Sequence, residues 1–174
     1  WHSKSQWDSR REELIRELKD KVFRWFPQQK TSFETTILSR NGGWGSRYAD
    51  YREILFDSEP GLKIRAQLFT PKANAAKAPV LLYVKRPGDS IYPLDLDELL
   101  PVLGRYTVLV LNPRMTEHSV SAFEYAEIER TASWIGRTVA SMQVWDILRA
   151  VEWLAQDSQV PASSISVYGK GDMG

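Results

Sequence analysis

The chain has 174 residues, 43% of them hydrophobic and 26% charged, and no cysteine, the make-up of a folded domain rather than a disordered, collagen-like or disulfide-stapled chain. Its 23 basic and 22 acidic residues leave a formal net charge of +1, which excludes the electrostatic footprint of a dedicated nucleic-acid binder. A chain without cysteine has neither a thiolate nucleophile nor a thiolate-bound metal, and no apolar run here is long enough for a membrane-spanning helix.

Asp8 to Phe26 is the first periodic segment. Ser9 and Glu12 have capping-box spacing, and Leu14, Leu18, Val22 and Trp25 recur at helical intervals up to Pro27. An amphipathic helix lying against the body of the domain is expected. From Phe33 to Thr70 the period changes to two, giving strands at 34–38, 51–56 and 62–69. Leu62, Ile64, Ala66 and Leu68 share one face, and Lys63, Arg65 and Gln67 the other. Turns at Asn41-Gly42-Gly43 and Glu59-Pro60-Gly61 make this an antiparallel meander.

The pattern then changes class. The apolar runs at 79–84 and 106–111, and the shorter one at 164–168, read as strands buried on both faces. Helices are expected over 95–104 and 138–156, the second with Val144, Ile147, Leu148, Val151 and Leu154 on one face and Gln143, Asp146, Arg149 and Glu152 opposite. Strand and helix in alternation imply right-handed crossovers and a mostly parallel sheet with helices on both faces.

In such sheets ligands bind beyond the carboxyl ends of the parallel strands, so the loops after Val84, Leu111 and Tyr168 carry the candidate chemistry. The last, Gly169-Lys170-Gly171-Asp172-Met173-Gly174, admits two motifs. Gly169, Gly171 and Gly174 match the dinucleotide fingerprint G-x-G-x-x-G, although that motif normally follows the first strand of its domain, and saturable NAD or FAD binding would support it. The other motif is a nucleophile elbow, a strained strand-to-helix turn with small flanking residues. With Gly169 as the first glycine, the nucleophile position is Gly171; with Gly174 as the last, it is Asp172, a residue type able to act as a carboxylate nucleophile.

The order of these elements resembles the first half of an α/β-hydrolase, and more narrowly the acetyl xylan esterase-like branch of carbohydrate esterases. The segments that carry the resemblance are Arg24-Trp25-Phe26-Pro27, 80–85, 108–114, the helical stretch 136–154 and the strand and turn 165–174. It implies a three-layer α/β/α sandwich, with N-terminal antiparallel strands leading into a parallel sheet. Residues 1–30 would be a helical extension, and 31–174 the N-terminal part of the hydrolase domain, ending at the elbow. The chain opens on Trp1 rather than Met and closes inside this turn, so it reads as part of a longer protein, soluble and with a secreted or periplasmic location open.

By the same resemblance, Lys85-Arg86 stands where the family has the His-Gly of its oxyanion loop. The loop from Lys85 to Asp89 and the backbone at Asp172 would then supply the oxyanion donors. Asn112-Pro113-Arg114 stands in place of an Asp-x-Arg-Gly stretch, with Met115 for the glycine. The implied activity is carboxylic-ester hydrolysis on a small ester or acylated carbohydrate, without cofactor or metal, but the serine is missing and the acid and histidine would lie beyond Gly174. A degenerate hydrolase domain that binds glycan or protein is the alternative, favoured by Gly171. His118 lies near the right end of the sheet, yet a base should follow the nucleophile in chain order; His2 sits at the terminus. Lys85, Arg86 and Arg114 could form a cationic mouth for an anionic group. Glu124, Glu127 and Glu129 lack histidines at ligand spacing and read as a solvated face. Trp25, Trp145 and Trp153 read as packing residues, leaving Trp7 and Trp44 as exposed platforms. The last strand is expected to expose an apolar face and an unpaired edge, to be covered by the rest of the protein or by another chain.

Overall fold

The computed structural model describes residues 3–25, 27, 30–40, 49–90, 97–116, 120–157, 160 and 164–174. They form two compact units, residues 1–29 with 121–145 and residues 30–120 with 146–174. The larger unit is an α/β fold on a six-stranded mixed sheet. Its strands are β1 (Thr36–Arg40), β2 (Ala49–Glu59), β3 (Leu62–Pro71), β4 (Val80–Val84), β5 (Thr107–Asn112) and β6 (Ile165–Tyr168). They lie in the order β1-β2-β3-β5-β4-β6. The first three form the expected meander, β3 runs antiparallel to β5, and β4 is parallel to both β5 and β6.

Alternation explains why the central strands read as continuous apolar runs. Leu109 and Leu111 join Ile54, Phe56, Ile64, Ala66, Leu68, Leu82 and Val84 in one cluster. Val108 and Val110 join Tyr51, Phe69 and Tyr83 in another on the opposite face, because successive side chains of a strand point to opposite sides. The β2–β3 hairpin closes on Pro60-Gly61, with Gly61 at φ +74° and Glu59 opposite Leu62. The register slips between Asp57 and Glu59, which frees Ser58 from the ladder.

The first cluster is covered by α3 (Val139–Gln156), which contributes Ala150, Trp153 and Leu154. The expected inner face is only partly right. Ile147 and Val151 pack on the cluster, but Leu148 is 42% exposed, while Asp146 and Arg149, on the opposite face of the pattern, are buried. The second cluster is covered by Leu99 and Leu103. Those residues lie in turns rather than in the helix expected over 95–104. Pro101 has no backbone N–H to donate and so interrupts a helical ladder; Asp95 and Leu96 lie outside the described residues.

The smaller unit holds α1 (Lys4–Glu17) and α2 (Ala122–Trp134). α1 starts earlier than the spacing of Ser9 and Glu12 suggests, because Ser3 is extended and its hydroxyl accepts from the Gln6 N–H. The expected burial of its stripe is not found: no residue of α1 is buried. With only Trp7, Leu14 and Ile15 apolar among its 14 residues, the helix has no continuous stripe to bury. It widens into a π-helical turn over Leu18–Phe23 and stops at Arg24, φ +54°, before Pro27. Trp25, expected to be packed, is half exposed; its N–H reaches the Gly136 carbonyl at 3.0 Å and the Arg137 guanidinium lies 4.8 Å from its ring. α2 begins on a capping box in which Ser121 and Glu124 satisfy each other's N–H groups. Glu127 pairs with Arg130 at 2.9 Å.

Candidate functional site

Because β4 and β6 are parallel neighbours, their carboxyl ends open side by side. The loop beginning at Lys85 and the turn beginning at Gly169 therefore share one end of the sheet, the end at which α/β folds place their ligands.

The turn after β6 is tight. A Cβ on Gly169 would stand 1.9 Å from the Met173 carbonyl oxygen and 2.6 Å from its carbon, so this position admits glycine alone. Gly171 has φ +59°, in the left-handed region, and opens a single 3₁₀ turn over Gly171–Met173. A Cβ there would have only the Arg86 guanidinium within reach, its Nη1 at 3.9 Å. Met173 packs its side chain on the first core cluster, which holds the far side of the turn against the sheet.

The loop after β4 is a turn closed by the Asp89 N–H on the Arg86 carbonyl at 3.2 Å. Pro87 and Gly88, the latter at φ +85°, are the residue types a type II turn requires at its two central positions. The Asp89 carboxylate accepts from the Arg86 backbone N–H at 3.1 Å and from its Nε at 2.9 Å, and this ion pair raises the arginine pKa. The backbone N–H of Lys85 donates to Leu111 at 3.0 Å. The Lys85 and Arg86 amides, two of the three expected oxyanion donors, are thus engaged within the protein, and the Lys85 side chain is buried.

Glu98 ties the turn after β6 to strand β4. It accepts from the Tyr83 hydroxyl at 3.0 Å and from Lys170 Nζ at 3.3 Å. Its own backbone N–H, then Tyr83 and Lys170, hold its carboxyl below the ordinary range. Burial and then the bond to Glu98 push the Tyr83 phenol well above its usual value, so it stays a neutral donor. The Tyr83 ring stacks on Tyr168 at 5.4 Å.

Arg114 lies elsewhere in the chemistry. Its Nε and backbone N–H both donate to Asp146 Oδ2, at 2.9 and 3.0 Å, and its Nη2 to Asp146 Oδ1 and Glu59, each at 2.6 Å. Burial works against this charge, and the bonds to Asp146 and Glu59 more than offset it, so the guanidinium pKa is raised. Ser58, released by the register slip, also donates to Asp146. Arg114 thereby pins the loop after β5 to α3 and to the β2–β3 hairpin rather than facing a ligand. The next residue, Met115, holds φ +71°, the conformation for which the glycine of the related pattern is suited.

A pocket of about 270 Å³ beside that loop is lined by Leu62, Ile64, Asn112, Met115 and Val120 among others. A larger one, about 590 Å³, runs along residues 30–35 and Arg149, and no described residue of the loops after β4 or β6 lines it. Trp145 and Trp153 are buried and Trp7 is exposed; Trp44, His2 and His118 lie outside the described residues. Asp89, Glu98 and Asp146 were not singled out from sequence as partners. Only Asp89 had a local signal, the Arg-Pro-Gly-Asp turn pattern; the other two act across long separations.

The fold of this chain, a six-stranded mixed sheet with a glycine-bound turn leaving β6, is similar to that of solved acetyl xylan esterases and a glucuronoyl esterase. The acetyl xylan esterase of Paenibacillus sp. R4 is similar over 80% of this chain and 46% of its own, with TM-score 0.59 and 19% identity. A putative acetyl xylan esterase of Bacteroides fragilis matches 92% of this chain and 46% of its own, with TM-score 0.71 and 16% identity. The glucuronoyl esterase of Solibacter usitatus matches 95% of this chain and 52% of its own, with TM-score 0.64 and 17% identity. The chain spans about half the length of these structures. No family model and no curated protein sequence matches it. Among the described residues, no helix is long and apolar enough to cross a membrane.

Proposed function

We propose that this chain carries the nucleophile elbow of a carbohydrate-esterase-like domain in degenerate form, with Gly171 at the apex, and that it binds an acylated or acidic carbohydrate without hydrolysing it. Residues 31–174 are its hydrolase portion, and residues 1–30 an extension. The single observation that carries the reading is the pair of glycines after β6: Gly169 has no room for a Cβ beneath Met173, and Gly171 takes a left-handed φ at the turn. A nucleophile elbow makes both demands, one on its flank and one on its apex. The close approach of Met173 also explains Gly169 without any pyrophosphate.

A glycine apex offers no atom to attack an acyl carbon. Beside it, the amides of Lys85 and Arg86 are held by Leu111 and Asp89 and are not free to stabilise an oxyanion. The chain is therefore expected to give no turnover of 4-nitrophenyl acetate above the buffer rate. Turnover abolished by Asp172→Asn would instead establish Asp172 as a carboxylate nucleophile and overturn the degenerate reading.

A further inference from the structure

We infer that Arg86 and the vacant apex at Gly171 form a binding site for a small carboxylate. The inference rests on reading Gly171 as the elbow apex and adds a ligand to that reading. Three observations place the guanidinium for this task. The Arg86-Pro87-Gly88-Asp89 turn fixes the backbone from which the side chain projects. Asp89 then holds the Nε edge at 2.9 Å, so little rotamer freedom remains to be lost on binding. The Nη1 atom has no hydrogen-bond partner among the described residues and stands 3.9 Å from where a Gly171 Cβ would be. In a hydrolase with a side-chain nucleophile that space is filled; here glycine leaves it open beside a half-exposed arginine.

The chemistry selects a monoanion with two coplanar oxygens. The outer edge of a guanidinium presents two parallel N–H groups that match a carboxylate. Asp89 already offsets part of the positive charge, and Glu98 and Asp172 belong to the same end of the sheet, with Glu98 paired to Lys170 at 3.3 Å. A dianionic phosphate would meet these carboxylates with twice the repulsion. Carboxylate ligands come in two kinds: a short-chain acid such as acetate, or the carboxylate of an acidic sugar.

The test is a titration of the ¹⁵N-labelled chain at constant ionic strength, read at the Gly171 and Asp172 amides and at the Arg86 Nε–H. Sodium acetate and sodium glucuronate are the ligands, with glucose and phosphate as controls. Saturable shifts with either carboxylate, absent with glucose and at least tenfold weaker with phosphate, are expected. Equal affinity for both carboxylates identifies a bare carboxylate site, and tighter glucuronate an acidic-sugar site. Arg86→Gln should lose binding more than tenfold and Arg86→Lys severalfold. Gly171→Asp, whose side chain tolerates a left-handed backbone, should abolish binding by supplying an internal carboxylate. Binding that survives Arg86→Gln, that glucose reproduces, or that phosphate exceeds would overturn the site, as would the absence of any shift. The elbow reading fails separately, if Gly169→Ala leaves stability unchanged.

Discussion

Gly169 and Gly171 are two residues apart and are glycine for different reasons. At Gly169 the obstacle is steric, with backbone atoms of Met173 inside the space of a methyl group. At Gly171 the obstacle is conformational, since the nearest atom, Arg86 Nη1, would stand 3.9 Å from a Cβ, an ordinary contact distance. Gly169→Ala should therefore cost about 3 kcal/mol, the scale of an overpacked core substitution. Gly171→Ala should cost about 1 kcal/mol, the strain of one left-handed non-glycine residue. Urea unfolding midpoints of the two variants would check this, and equal losses would contradict the assigned geometry. Neither reason could be read from three glycines in six residues. The motif located the turn, while the clash that fixes its register involves a carbonyl whose position depends on how β6 and Met173 pack.

At the level of elements, α3 shows how a helical period misleads when buried ion pairs are present. Asp146 and Arg149 fall on the side opposite the apolar pattern, yet both are buried. Asp146 accepts Arg114 and Ser58. Arg149 reaches Glu152, the Thr31 carbonyl and the Phe33 ring, its carbon 4.0 Å from the ring centre. The register slip at Ser58 and the loop after β5 bring these partners from 88 and 32 residues away, and no local pattern encodes that. Asp146→Ala should destabilise the chain by about 3–5 kcal/mol, because it removes the fully buried carboxylate that pairs with the largely buried Arg114 guanidinium. The triple variant Asp146→Leu with Arg114→Met and Glu59→Gln, which removes both carboxylates together with the guanidinium they share, should recover most of that loss. Thermal and urea unfolding would show it; a triple variant as unstable as the single one would mean the charge cluster itself holds the fold.

At the level of the whole molecule, the sheet places the Arg86 loop and the glycine turn after β6 together because β4 and β6 are neighbours in space though 80 residues lie between Val84 and Ile165. Among the described residues, the same arrangement leaves β6 as an outer strand, at the opposite edge from β1. Val167 is 55% and Tyr168 40% exposed, a short apolar edge of the kind that pairs with other chains. Concentration-dependent self-association is the expected behaviour of this chain, and Val167→Lys should raise the monomer fraction in sedimentation velocity. A wild-type chain that stays monomeric up to millimolar concentration would count against the edge as the contact.

Period-two and continuous apolar runs fixed the meander, the parallel strands and the order in which they occur, because burial on one face or two writes directly into residue spacing. The same patterns located the turn after β6 and the loop at Lys85. Tertiary structure decided what those residues do: that Arg114 is a partly buried pin, that Asp89 occupies the Arg86 amide, and that a guanidinium stands beside an apex without a side chain. Such roles depend on which polar groups find partners across the sheet. Burial makes an unpaired charge costly, and the partners that relieve that cost are chosen by the packing of distant segments, not by their spacing along the chain.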